Sequence, residues 1–197
     1  MTHYYSEKQN SKLNLKKILI KLKNKEFELY SASGIFSKNK VDKGTKLLIE
    51  NCVIEPIWSV LDIGCGIGVI GIAVKLLNPS TKVIMSDINQ RAVMISKKNV
   101  KLHNLDIEVI KSNLYSKIKD KFDTILVNPP QTAGKEICFK IIDGAKKHLN
   151  EKGFLQLVAR HNKGGSMLEK YMKEIFGNVK QIAKGSGYRL YVSLMNS

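Results

Sequence analysis

An α/β fold, a mostly parallel sheet covered by helices on both faces and preceded by an N-terminal β-hairpin, is what this 197-residue sequence predicts. Two observations carry that expectation. From residue 59 onward, short apolar runs alternate with stretches of helical periodicity, the pattern of successive βα units. The runs themselves, SVLDI (59–63), VIMSD (83–87) and FDTILV (122–127), are nearly continuous in their apolar residues, as strands buried on both faces require. No internal repeat or low-complexity linker interrupts the series. Residues 41–197 are therefore expected to form one domain, with residues 1–40 as an extension packed on it.

The elements follow in order. Residues 16–31, KKILIKLKNKEFELYS, alternate apolar and charged around Asn24-Lys25, which suits a hairpin with one wet face. Asp42 can cap a helix reaching about residue 53. SVLDI is a strand and GVIGIAVKLL (68–77) a helix; VIMSD is a strand and Asn89 to about His103 a helix. IEVI (107–110) and FDTILV are strands, Lys135–Leu149 a helix, FLQLVA (154–159) a strand and MLEKYMKEIF (167–176) a helix. Two last strands fall near 179–183 and 188–194.

Composition narrows the partners. Thirty-three basic against 17 acidic residues leave a net charge of +16, a surface that attracts polyanions, nucleic acid first among them. Only Arg91, Arg160 and Arg189 are arginines. Lysine is a good point charge for phosphate and a poor reader of base edges, and it also simply solvates surfaces. Charge alone therefore leaves a polyanion partner and plain solvation both open. Cys52, Cys65 and Cys138 are odd in number, widely spaced and free of any C-x-x-C pairing, which argues for a reducing cytoplasm and against a disulfide framework or a zinc site. His3, His103, His148 and His161 show no metal spacing, so no metal is expected. No apolar run approaches the ~20 residues that span a bilayer, and MTHYYSEKQN lacks the apolar core of a secretory signal. A cytoplasmic protein without a membrane partner is expected, and no pattern sets an oligomeric state.

In a parallel sheet, ligands gather outside the carboxyl ends of the strands, and four strand ends here carry unusual residues. LDIGCGIGVIG (61–71) places Asp62 before Gly64, Cys65, Gly66 and Gly68. Its glycines permit a tight turn and close approach of a ligand to the backbone. Gly66-x-Gly68-x-x-Gly71 fits a dinucleotide loop, while Asp62-x-Gly64-x-Gly66-x-Gly68 fits the acidic glycine loop of S-adenosylmethionine binders. Asp62 favours the second: a carboxylate repels a pyrophosphate but can organise a loop that receives an ammonium group. Asp87, followed by Ile88, can accept both hydroxyls of a ribose, which fits either ligand. Asn113, followed by Leu114, can bond an adenine edge. The fourth end, ILVNPP, stops a strand at Asn128 with Pro129 and Pro130, which removes ladder donors and stiffens the exit. Methyl transfer to an exocyclic amine needs the nitrogen lone pair turned toward the methyl group. The Asn128 side-chain oxygen and the Pro129 carbonyl can supply two acceptors for the amino hydrogens, provided the loop holds their aim.

Together LDIGCGIGVIGIA, SDINQRAV, SNLY and NPP resemble, in order and spacing, the class I S-adenosylmethionine-dependent methyltransferases. With HYYSEKQ, SGIFSKNKVDKGTKLL, GKE, YMKEIFGNV and GYRLY, nearly the whole chain is similar to the small-domain methyltransferases related to bacterial ribosomal RNA guanine 2-amino methyltransferases, in particular to their short archaeal stand-alone members. That resemblance implies a Rossmann-like seven-stranded sheet with a reversed final hairpin, S-adenosylmethionine as cofactor with S-adenosylhomocysteine as product, and no metal. It also implies that Asp42, Gly44 and Thr45 line the cofactor from the side opposite the glycine loop. Two departures stand out: Asn113 replaces an Asp common in relatives, and Gln131 replaces the Tyr or Phe that usually follows Asn-Pro-Pro and stacks on the target. Tyr4, Tyr5 and Phe36, from a segment that lies near the active site in the family, are the candidates to supply the missing stacking surface.

The expected activity is transfer of a methyl group to an exocyclic amine of a base in RNA, foremost the 2-amino group of guanine in ribosomal RNA. Adenine 6-amino methylation, methylation of a glutamine amide in a release factor, an RNA-binding module without turnover, and an NAD-dependent enzyme are the alternatives. Gln131 and the absence of a factor-docking segment weigh against the release-factor reading.

Overall fold

A computed structural model describes residues 14–22, 25–32, 41–129 and 134–196. Tyr4, Tyr5, Phe36, Pro130 and Gln131 lie outside the described residues. The hairpin forms as its alternation dictates: β1 (Leu15–Lys21) pairs antiparallel with β2 (Glu26–Ala32), bringing Ile20 opposite Phe27 and Ile18 opposite Leu29. Ile20, Phe27 and Leu29 are buried while the intervening Lys and Glu stay in solvent.

Helix α1 (Lys43–Asn51) starts at Asp42, and β3 (Ser59–Ile63) opens the main sheet. Then α2 (Val69–Leu77), β4 (Lys82–Asp87), α3 (Gln90–Leu102), β5 (Ile107–Lys111), β6 (Phe122–Val127) and α4 (Lys135–His148) alternate. The chain ends with β7 (Leu149–Arg160), α5 (Ser166–Phe176), β8 (Lys180–Gly185) and β9 (Tyr188–Leu194). The seven strands lie in the order β5-β4-β3-β6-β7-β9-β8, and β9 alone runs against the others. This is the Rossmann-like sheet with a reversed last hairpin. No described helix is long and apolar enough to cross a membrane.

Each face of the sheet carries its own apolar core. On one, Val60, Met85 and Leu190 pack with Leu48 of α1, Ile72 of α2, Ile95 of α3 and the hairpin's Leu29. On the other, Leu61, Ile125 and Leu157 pack with Ile142 of α4 and Met172 of α5. The split follows from the twofold period of strands, which sends neighbouring Val60 and Leu61 to opposite sides. Helix α2 sits so close to β4 that a Cβ on Gly71 would fall 2.5 Å from Met85 Sδ.

One boundary differs from the sequence expectation by more than a residue or two. β7 begins at Leu149, immediately after α4, where a strand was expected only over 154–159. The ladder explains the difference: Phe122 pairs with Leu149, and the next pair, Thr124 with Phe154, skips four residues of β7. Those residues, NEKG, bulge out with Lys152 at φ 61°, so they read locally as a turn.

Candidate active site

The carboxyl ends of β3, β4, β5 and β6 open into one cavity of about 760 Å³. Its polar groups are few and sit on a mainly apolar wall, the usual make-up of a small-molecule site. Gly64, Cys65 and Gly66 form one edge, and they are held from beneath. The Gly64 and Cys65 N–H groups donate to the Ser86 carbonyl at 2.8 and 2.9 Å. The Ser96 hydroxyl donates to the Gly66 carbonyl at 2.8 Å, and the Asn99 amide donates to the Ile67 carbonyl at 2.9 Å. Gly64 (φ 72°) and Gly66 (φ 58°) take the left-handed turn this path needs. The Cys65 thiol is buried, and burial pushes its pKa well above the ordinary range, with the Asp62 and Asp87 carboxylates adding to the shift; it serves as a neutral wall.

Asp62 lies under this loop and outside the cavity lining. Its Oδ2 accepts the Gly71 N–H at 2.9 Å, fixing the first turn of α2, while Oδ1 is buried without a partner. Burial pushes its pKa up to about 7, opposed by the Gly71 N–H and reinforced by the Asp87 charge. Gly68 also stays out of the lining and caps α2 at φ 88°. Asp87 lines the cavity, with Oδ2 accepting from Gly66 N–H and Oδ1 from Asn89 N–H, both at 2.8 Å. Burial raises its pKa, and the N–H groups of Asn89, Gly66 and Ile88 oppose the rise. Because Asn89 itself caps α3, Asp87 is not consumed as a helix cap. A carboxylate offers about four lone-pair sites, so with three N–H groups on Asp87 one remains for a hydroxyl.

Ile88, Asn113 and Leu114 continue the lining. Leu114 is held at φ 50°, and its carbonyl accepts from the Ser112 hydroxyl at 2.7 Å. The exposed Asn113 amide has no partner among the described residues, so it can present either oxygen or nitrogen to an adenine edge.

Asn128 and Pro129 close the opposite side, joined by Asp42 and Thr45. Asn128 Nδ2 donates to Asp42 Oδ2 at 3.0 Å and to Thr45 Oγ1 at 2.8 Å. The Thr45 hydroxyl donates to the same Asp42 Oδ2, and Asp42 Oδ1 accepts the Gly44 and Thr45 N–H groups of α1. An ionised carboxylate only accepts, so it fixes which end of the Asn128 amide is nitrogen. The Asn128 oxygen has no partner among the described residues. Gly44 does not line the cavity. It is glycine because a Cβ there would fall 2.6 Å from the Tyr188 ring.

Sequence reading missed several lining residues. Ser86 lines the floor with a buried hydroxyl that has no partner. Ile137, Lys140 and Ile141 enter from one face of α4. Their i, i+3, i+4 spacing was visible, but that pattern equally describes a helix packed on a core.

The residues fit S-adenosylmethionine. The orphaned Ser86 hydroxyl, the Asp87 carboxylate and an Asn113 amide without a partner among the described residues line the space, with the Asp62 carboxyl buried beneath the loop. Fold and cavity thus define an α/β protein with a small-molecule cavity at the carboxyl ends of its parallel strands.

The sequence matches the family model described as "Methyltransferase small domain" over residues 26–192. The chain belongs to that family, whose members are S-adenosylmethionine-dependent methyltransferases. It is 34% identical over 190 residues to the uncharacterized protein YbxB of Bacillus subtilis, covering 94% of both chains. It is 35% identical over 170 residues to ribosomal RNA small subunit methyltransferase C of Mannheimia succiniciproducens, covering 84% of this chain and 50% of that one. The chain thus spans nearly all of YbxB and about half of the ribosomal RNA methyltransferases it matches. Among solved structures it superposes on the T. thermophilus 16S rRNA N2 methyltransferase RsmC, in complex with AdoMet and guanosine, with a TM-score of 0.80 and 19% identity over 96% of this chain and 52% of that one. A methyltransferase from Pyrococcus furiosus follows with a TM-score of 0.68 and 20% identity, over 74% and 78% of the two chains.

Proposed function

We propose that the protein methylates an exocyclic amino group of a base in RNA, the 2-amino group of guanine in ribosomal RNA. S-adenosylmethionine supplies an electrophilic methyl group on a sulfonium. Asp87 holds a ribose hydroxyl and Asn113 the adenine edge, while the glycine loop receives the methionine end. The Asn128 oxygen and the Pro129 carbonyl accept the two hydrogens of the target amine. That draws the nitrogen lone pair out of the ring and toward the methyl group. As the new C–N bond forms and the C–S bond breaks, the nitrogen becomes cationic, and the same two acceptors stabilise the developing charge. The attached proton is then acidic enough to leave to water, so no strong base is needed.

One observation carries this reading: Asp42 and Thr45 take the Asn128 amide nitrogen, and its oxygen has no partner among the described residues. The ribosomal part is supported by the names of the ribosomal RNA methyltransferase relatives, the guanine part by the solved N2 methyltransferase with guanosine, and the RNA part by the excess of basic charge. Tyr4, Tyr5, Phe36 and Gln131 remain our candidates for contacts to the base.

The test is a product analysis with methyl-labelled cofactor and unmodified ribosomal and transfer RNA. We expect labelled 2-methylguanosine. Labelled 6-methyladenosine would keep the clamp and change the base, and label in a protein glutamine alone would overturn the RNA reading. Asn128→Ala should lower kcat by about 10²-fold or more, in the range of removing one aligned polar group from a transition state, while the cofactor Kd stays near wild type.

A further inference from the structure

Pro129 is shared between the cofactor cavity and a smaller cleft of about 150 Å³. Three cations line that cleft from three parts of the chain. Lys135 belongs to the first turn of α4, Arg160 ends β7, and Lys163 sits in the turn between β7 and α5. No carboxylate is among the described lining residues, and none of the three cations makes an ion pair with a described residue. The Arg160 guanidinium lies over the Tyr188 ring, 5.1 Å from its centroid, and its Nε is buried with no hydrogen-bond partner. Like charges gathered without a counter-charge repel one another, and a buried unpaired donor costs about 1–3 kcal/mol. An anion removes both costs.

The local backbone brings these groups together. The turn over residues 161–165 leaves helical geometry at Lys163 (φ −125°, ψ 51°) and Gly164 (φ 96°). A Cβ on Gly165 would fall 2.7 Å from the Arg160 carbonyl oxygen, so the chain folds back on Arg160 only because glycine stands there. Gly134, also in the lining, precedes α4 without a side-chain cap of its own, which leaves the first N–H groups of that helix without a cap among the described residues.

Size selects the ligand. A volume of about 150 Å³ holds about five waters at their liquid packing. Pockets for whole small molecules begin near ~300 Å³. The cleft therefore has room for a phosphate and not for a nucleoside. A guanidinium fork with two ammonium groups matches the oxygens of a phosphodiester.

We propose that this cleft seats a backbone phosphodiester of the substrate RNA beside the target nucleotide, an inference that rests on the RNA reading above. With Pro129 as common wall, one strand places its base in the large cavity and its neighbouring phosphate in the small cleft. Phosphate contacts of this kind set register and orientation, and the base contact then reads identity.

The test compares Lys135→Gln/Lys163→Gln with Lys82→Gln/Lys121→Gln. All four lysines are exposed, and the second pair removes equal charge at the amino ends of β4 and β6, the end of the strands away from the cavity. RNA affinity is measured by fluorescence anisotropy against KCl concentration, alongside kcat and KM for RNA, cofactor Kd and Tm. The cleft variant should raise KM for RNA about tenfold relative to the control variant, as loss of a charged hydrogen bond does. Its salt slope should fall by about 1, with kcat, cofactor Kd and Tm unchanged. Equal KM and slope in the two variants would overturn the proposal. So would a cleft variant that loses only a thermal shift given by inorganic phosphate, since the cleft would then take a free anion. A wild-type protein that methylates no RNA would remove the RNA reading itself, and that result is visible before any variant is compared.

Discussion

Asp42 divides one carboxylate between two tasks. Oδ1 caps α1 and Oδ2 orients Asn128. Replacing it by Asn separates the tasks, because Asn caps helices as well as Asp does but offers Asn128 a donor as readily as an acceptor. We expect Asp42→Asn to keep Tm close to wild type and to lower kcat by about 10²-fold, the scale of a misplaced reacting group. Measuring Tm, cofactor Kd and kcat separately checks it, and an unchanged kcat would remove Asp42 from the positioning of Asn128. Asp62 makes a prediction about pH. Its carboxyl titrates near 7 in the folded chain against an ordinary 3.8, so the folded state holds the extra proton between those values. Stability from this group is therefore present below about pH 4 and lost as pH rises toward about 7. Asp62→Asn removes that loss. The Tm difference between variant and wild type, without cofactor, should grow across this window and level off above it, at roughly 2–4 °C per kcal/mol for a domain of this size. A difference that is flat with pH would contradict the burial argument. Both residues were legible in the sequence as polar groups at element ends. What each one bonds was not, since Asp42 and Asn128 are 86 residues apart and no spacing encodes the meeting.

At the scale of elements, α3 ties the hairpin to the cofactor loop. The Asn99 side chain pairs with both backbone groups of Tyr30, accepting at 2.7 Å and donating at 2.9 Å, and also donates to the Ile67 carbonyl. A fully buried Asn inside a helix is costly unless satisfied, and here two bonds hold β2 and the third holds the cofactor loop. Asn99→Ala should cost about 1–3 kcal/mol, speed amide exchange across 15–32 and weaken cofactor binding, because Ile67 lines the cavity. Exchange unchanged in the hairpin would show that packing alone holds it. Helix α4 depends on Gly144, whose Cβ would fall 2.3 Å from the Tyr115 ring. Gly144→Ala should destabilise by about 1–3 kcal/mol despite alanine's better helix propensity, as overpacking does, and denaturant unfolding measures it. The elements themselves were legible from apolar period and caps, with ends shifting by a residue or two. The start of β7 was not, because NEKG carries turn chemistry and its place beside the ladder is set by Phe122 on another strand.

For the whole molecule, the balance of charge dominates. Against a net +16 the described residues hold three ion pairs, each with a partner that is well exposed, so most positive charge repels other positive charge. Raising KCl should therefore raise Tm of the free protein by a few degrees while weakening RNA binding, since salt screens both. Opposite responses of stability and affinity to one variable are simple to measure, and a Tm that falls with KCl would contradict the repulsion. The composition announced the charge, but only the fold shows where it collects. Lys135, Arg160 and Lys163 are spread over 29 positions and become neighbours because β6 and β7 lie side by side. The glycine loop and Asn128-Pro129 could be placed at strand ends from the sequence for the opposite reason, each being a short contiguous run.

The sheet order also fixes a timetable. β9 follows β8 in sequence yet lies between β7 and β8, so β8 has no partner until β9 has been synthesised. During translation β7 waits with an open edge, its Leu155 and Leu157 already apolar and awaiting Tyr191 and Ser193. A nascent chain halted just short of residue 188 carries an exposed template for strand addition, the hazard of any unpaired edge. The last hairpin thus acts as a closing seal. Released chains ending before Tyr188 and the full chain should differ sharply in protease resistance, since only the second can pair β9 between β7 and β8.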